Sequence, residues 1–90
     1  MYINDLKVIG ASDTSSNPFN NMLLLEVDGT CQDTNLFYIS NDDSAYQSIL
    51  SVALAAFVSN TQIYPAIITS ATKSAGMLKA EKLLWMRLKK

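Results

Sequence analysis

Apolar residues between Ser40 and Asn60 recur at the spacing of an α-helix and predict the central helix of this chain. Ser44 followed by Gln47 fits a capping box at its start, and Asn60 suits a left-handed residue at its end. Asn41, Asp42 and Asp43 are alternative N-caps, and the acidic side chains of Asp42 and Asp43 also suit the helix dipole. The predicted core face consists of Tyr46, Ile49, Leu50, Ala53, Leu54 and Phe57.

The opposite face of this helix is small and uncharged, because it consists of Ser48, Ser51, Ala55 and Ser59. A helix exposed to water usually carries Lys and Glu at such positions. Small side chains instead allow the backbone of a neighbour to approach closely. We therefore predict that these four residues form an oligomer interface.

The residue pattern of the rest of the chain predicts strands and turns. Asp28-Gly29 and the segment 70–76 predict connections, and Pro65 places the fourth strand at a sheet edge or a bulge. Both faces of the second strand are apolar, so we expect it to be central and covered on both sides. The last segment also suits a helix, although alternation favours a strand. The predicted strands are Leu6–Ala11, Met22–Val27, Leu36–Ile39, Gln62–Thr69 and Leu78–Leu88.

The predicted order is β-β-β-α-β-β, an α+β fold in a single domain spanning residues 1–90. Apolar residues make up 49% of the chain and charged residues only 17%, so we expect a small domain of this composition to expose an apolar surface patch. We therefore expect a homo-oligomer.

The net charge of −1 provides no basic field for a phosphate backbone, so we expect no nucleic acid partner. The C-terminal basic residues are interpreted as a solvated strand end: Lys79, Lys82, Arg87, Lys89 and Lys90. No apolar run is long enough to cross a bilayer, so membrane insertion is not expected. No signal peptide is visible, which indicates secretion if a leader was removed and a cytoplasmic protein otherwise.

The residue types do not predict an enzyme, a metal site or a cofactor. The chain has no histidine, so Cys31 has no paired base that would make it a nucleophile. Glu26 and Glu81 could act as an acid–base pair, although pairing with lysine is the ordinary explanation. Asn41, Asp42 and Asp43 could bind a cation, although helix capping explains them equally well. The rings of Tyr38, Tyr64 and Trp85 could stack on sugars or nucleobases, although core or interface packing is the ordinary explanation.

Two stretches, SILSVALAAFVSNTQIYPAIIT and the later EKLLWMRL, resemble the binding (B) subunits of AB5 toxins of the pertussis and subtilase type. The resemblance implies a small OB-like, antiparallel five-stranded barrel crossed by the helix. It also implies a ring, with a pentamer favoured, that binds a glycan and has a toxin A subunit as a candidate partner. The turn residues Asp13, Thr14 and Ser15 are similar to a segment that contacts sugar in such subunits. Members usually hold an intrachain disulfide, whereas this chain has a single cysteine.

Two alternatives accompany the hypothesis of a non-enzymatic, glycan-binding ring subunit. The unpaired Cys31 favours an intracellular oligomeric module, of phage or mobile-element origin, that binds a protein or sequesters a ligand. The second alternative is an OB domain that binds single-stranded nucleic acid, and the acidic composition argues against it.

Overall fold

The computed structural model describes residues 1–10, 19–31, 34–75 and 78–89. One helix and five strands follow each other in the predicted order. The elements are β1 (Ile3–Ile9), β2 (Met22–Cys31), β3 (Thr34–Ser40), α1 (Tyr46–Ser59), β4 (Gln62–Ala75) and β5 (Leu78–Lys89).

The five strands form one sheet in the order β1-β2-β3-β5-β4. β2 lies inside the sheet and β4 at its edge, as predicted. The expectation of an entirely antiparallel sheet is wrong at one pair, because β3 and β5 run parallel, with Phe37 opposite Glu81. The reason is the connection: α1 and β4 intervene between them, and β4 pairs antiparallel with β5, which returns the chain in the direction of β3.

β2 and β4 extend well past their predicted ends, to Cys31 and Ala75. Asp28-Gly29 lies within β2, because the chain reverses only between Cys31 and Thr34, which are paired. The predicted loop 70–76 is largely strand, since β4 continues to Ala75. The pairing register shifts in both stretches, so the turn-forming residues produce bulges without ending the strands. β5 is a strand, so the alternative prediction of a helix for this segment is wrong.

Alternating side chains of β2 enter two separate cores, so the predicted cover is complete on one face and only partial on the other, where Leu24 and Glu26 are half-buried. Leu23, Leu25 and Val27 belong to the main core beneath α1. Met22 belongs to a smaller core on the other side of the sheet, against which Leu24 packs. The smaller core also contains Phe19, Tyr38 and Ala80.

α1 packs against β1 and β5 along a narrower stripe than predicted. Tyr46, Ile49 and Ala53 are buried as expected. Leu54 and Phe57 are each 45% exposed, so their assignment to the core is wrong. Ala56 is buried in the core, because its small side chain lets the C-terminal turn approach the sheet closely.

Of the two caps predicted for α1, the C-terminal cap forms and the N-terminal capping box does not. The capping box is not formed, because Ala45 occupies the N-cap position and no side chain caps it. Asp43 Oδ1 accepts a hydrogen bond of 2.9 Å from the Ala45 N–H and so closes the preceding turn. At the other end, Asn60 has φ 53° and ψ 47°, and its N–H bonds the Ala56 carbonyl, which confirms the left-handed cap.

Replacing Asn60 by alanine is expected to lower the free energy of unfolding by about 1–2 kcal/mol, because a Cβ without a compensating side chain is strained in this conformation. Denaturant unfolding measures the change. Asn60→Gly is the control at the same position and should retain the wild-type stability within about 0.5 kcal/mol. Equal losses in both variants would contradict the backbone explanation.

Candidate functional site

A cavity of about 170 Å³ opens on the surface of β1, β2 and β3 that faces away from α1. Its walls are apolar where Leu24 and Leu36 reach it and charged elsewhere. The alternation of the strands explains this mixture, because every second side chain of a strand reaches the same surface. The five lining residues, which we call the carboxylate cavity, are Asp5, Lys7, Leu24, Glu26 and Leu36.

The carboxylates of the cavity are held close to each other by the sheet, since Asp5 lies directly opposite Glu26 in the pairing of β1 with β2. Like charges at such positions repel. No ion pair involves either carboxylate or Lys7 within the described ranges. The cavity can accept hydrogen bonds or a cationic group. It is smaller than the roughly 300–1,000 Å³ of drug-sized ligand pockets, so it suits one side chain or a small polar group.

A second surface feature lies on the outward side of β4 and β5. Tyr64 is paired with Arg87 across the strands, and Ala66 is paired with Trp85. The Arg87 guanidinium lies 5.0 Å and the Lys89 ammonium 4.9 Å from the Tyr64 ring centre, within cation–π range. We call Tyr64, Trp85, Arg87 and Lys89 the aromatic–basic surface.

The cations of this surface change the acidity of its tyrosine. A hydrogen bond from Lys89 and the charge of Lys89 lower the pKa of the Tyr64 hydroxyl, and the charge of Arg87 acts in the same direction. Trp85 is 48% exposed. Neither Arg87 nor Lys89 has a carboxylate partner among the residues that the structure describes. The surface therefore presents two positioned cations beside an accessible indole.

The face of α1 directed away from the sheet carries the four predicted interface residues, and all four are exposed. Exposed apolar side chains accompany them, with Val58 82% accessible and Leu54 and Phe57 almost half accessible. Ser59 is tied to the helix, because its hydroxyl donates to the Ala55 carbonyl at 2.6 Å. The α1 outer face is defined here as Ser48, Ser51, Leu54, Ala55, Phe57, Val58 and Ser59.

Glu81 is the one buried charged residue of the described sheet, with 1% of its surface exposed. The Thr72 hydroxyl donates to it at 2.6 Å, and the Lys79 ammonium lies 3.5 Å away. The register places Glu81 on the side of Phe37, whereas Glu26 is opposite Leu36 and lines the cavity on the other side. The two glutamates therefore do not form an acid–base pair.

The other candidates from the sequence have separate positions. Asp13, Thr14 and Ser15 lie outside the described residues. Asp43 accepts the bond that closes the turn before α1 and pairs with Lys82 at 3.7 Å. The described ranges contain no group of three or more side chains suited to a metal ion.

Of the three aromatic candidates, Tyr38 is buried, and its hydroxyl donates to the Ala71 carbonyl. Burial and, to a lesser extent, the charge of Glu81 raise the pKa of Tyr38. Tyr64 and Trp85 remain accessible.

Sequence reasoning missed the carboxylate cavity. The only available signal was the alternation of Asp5 and Lys7 on β1, and it becomes informative only when the register of β1 against Glu26 is known. The aromatic–basic surface was missed for a similar reason, since Tyr64 and Arg87 are far apart in the chain.

Comparison of the chain with protein-family models, with curated proteins and with solved structures finds no match. Within the described ranges, α1 is too short to serve as a membrane-spanning helix.

Proposed function

We propose that this chain is a non-enzymatic subunit of a ring-forming homo-oligomer, with a pentamer favoured, that binds a glycan. The observation that carries the assembly is the α1 outer face. Its serines and alanine leave space for a neighbouring backbone, and Leu54, Phe57 and Val58 add apolar surface that a partner would remove from water. A helix of this kind would line the centre of the ring.

The proposal includes an OB-like barrel as the specific architecture of the sheet. Two features support it: the strand order, and a pair of backbone hydrogen bonds between Met1, which precedes β1, and Ile63 near the start of β4. The Met1 amine donates to the Ile63 carbonyl at 3.2 Å, and the Ile63 N–H donates to the Met1 carbonyl at 2.7 Å. These bonds link Met1, just ahead of the edge strand β1, to the edge strand β4, where a closed barrel would pair the two strands.

The glycan part of the proposal rests on Asp13, Thr14 and Ser15, whose carboxylate and hydroxyl groups are suitable partners for sugar hydroxyls. Each site would be weak, and a ring presenting several copies would bind a multivalent surface strongly. A toxin A subunit is the protein partner that the sequence resemblance suggests for such a ring.

Binding of the intact oligomer to a glycan array tests this function. Alanine at Asp13, Thr14 and Ser15 together is expected to weaken binding at least about tenfold, since one lost charged hydrogen bond of about 1.5–3 kcal/mol already accounts for that factor. Native mass spectrometry should show an unchanged assembly. Ser44→Ala, which removes an exposed hydroxyl before α1, is the matched control. An intact oligomer that binds no glycan would refute the glycan part of the proposal.

A further inference from the structure

The charges of this chain are divided between its two halves. Residues 1–43 contain seven of the eight acidic residues and one of the seven basic ones. Residues 44–90 contain the remaining acidic residue, the buried Glu81, and six basic residues. The net charge of −1 therefore results from a half with −6 and a half with +5. The sheet turns this division into two separate surfaces, because β1 and β2 belong to the acidic half and β4 and β5 to the basic half.

We infer that the aromatic–basic surface of one copy docks onto the carboxylate cavity of the next copy. This inference rests on the proposed ring and specifies which surfaces form its lateral contact. The contact joins two different surfaces, so each copy contributes its cavity to one neighbour and its aromatic–basic surface to the other. Such heterologous contacts produce closed rings when the rotation between copies closes.

The charge complementarity is specific at the level of single groups. Two carboxylates and one ammonium, that of Lys7, line the cavity. A guanidinium placed between Asp5 and Glu26 relieves the repulsion that their pairing creates, and it can bond carboxylates in a bidentate manner. Arg87 presents such a group, fixed over the Tyr64 ring and without a carboxylate of its own in the described part of the chain. The cavity volume of about 170 Å³ suits one inserted side chain.

The composition of the aromatic–basic surface also favours a protein contact. Tyrosine, tryptophan and arginine are the residues most enriched in the energetically dominant part of protein interfaces. Tyr64 and Trp85 are 40% and 48% exposed and so are available to a partner. A nucleic acid strand would meet the same cations, but the acidic half of each copy would repel its phosphates. A second copy supplies the matching carboxylates on the same molecule.

Charge reversal tests the docking. The double variant Arg87→Glu/Lys89→Glu and the double variant Asp5→Lys/Glu26→Lys should each raise the concentration needed for half assembly at least tenfold, measured by native mass spectrometry and light scattering. A quadruple variant with all four changes should assemble again, because the two reversed surfaces are complementary. Asp42→Lys, an exposed reversal away from both surfaces, should assemble like the wild type.

The outcomes separate this inference from the proposed ring. A wild-type chain that stays monomeric would overturn both. A wild-type ring that persists unchanged in both double variants would overturn only the docking. Circular dichroism checks that the double variants fold. If they do not, the wild-type ring itself provides the test, since added salt should dissociate it at low protein concentration, and insensitivity to salt would count against the contact.

The fluorescence of Trp85 tests the competing hypothesis that this surface binds a single-stranded nucleic acid, because Trp85 is the only tryptophan of the chain. Quenching of its fluorescence by oligothymidylate, lost in Arg87→Glu/Lys89→Glu while the assembly is unchanged, would assign the surface to single strands and overturn the docking. We expect no quenching of the assembled wild type, because the neighbouring copy covers the indole.

Discussion

Replacing Phe37 by alanine is expected to lower the free energy of unfolding by about 3–5 kcal/mol, the largest stability change among the substitutions considered. Phe37 is completely buried in the main core and lies on β3, which pairs with β2 on one side and β5 on the other. Removing its ring leaves a cavity that rigid strands on both sides cannot fill by collapsing. Denaturant unfolding followed by circular dichroism measures the loss.

Phe57→Ala is the matched control, because the same atoms are removed from a side chain that is 45% exposed on α1. It should cost less than about 1.5 kcal/mol in the monomer, since much of the ring already contacts water. Similar losses for both substitutions would contradict the burial of the two rings as described here.

The second large effect concerns assembly. Ser51→Lys and Ala55→Glu should each convert the proposed oligomer to monomers while the fold is retained. Both side chains are exposed on the α1 outer face, so a longer charged side chain has room in the free chain. In the assembled state it would have to lose water without a partner, a cost of several kcal/mol per ion. Native mass spectrometry measures the assembly, and circular dichroism measures the fold.

Conservative changes at the same positions provide the control. Ser51→Ala and Ala55→Ser keep the side chains small and uncharged, and both should assemble like the wild type. If Ser51→Lys and Ala55→Glu also assemble normally, the α1 outer face is not an interface and the ring loses its main support.

The sequence predicted the type and order of all six elements, because each relies on a local signal. Helical spacing marks α1, alternation marks the strands, and Asn60 tolerates the left-handed conformation that ends the helix. Pro65 lacks a backbone donor, which is compatible with the edge position that β4 occupies. The apolar side chains on both faces of β2 likewise predicted that this strand would contact a core on each side.

Local signals failed where pairing between distant strands decided the outcome. Asp28-Gly29 favours a turn, yet the pairing of β2 with β3 extends past it to Cys31 and Thr34. Leu54 and Phe57 fit the helical period of a core face, but α1 meets the sheet on the side of Ala53 and Ala56. Ser44 suits a capping box, whereas the hydrogen bond that closes the turn before α1 is accepted by Asp43.

The sequence by itself therefore determined an α+β chain with one helix, few charged residues and no histidine. Only the tertiary structure decided that β3 and β5 run parallel, that Asp5 faces Glu26, and that Tyr64 holds Arg87 and Lys89 beside Trp85. The physical reason is register. A shift of one residue in strand pairing moves every side chain to the other face of the sheet, and no local pattern in β1 or β4 specifies the partner across the sheet.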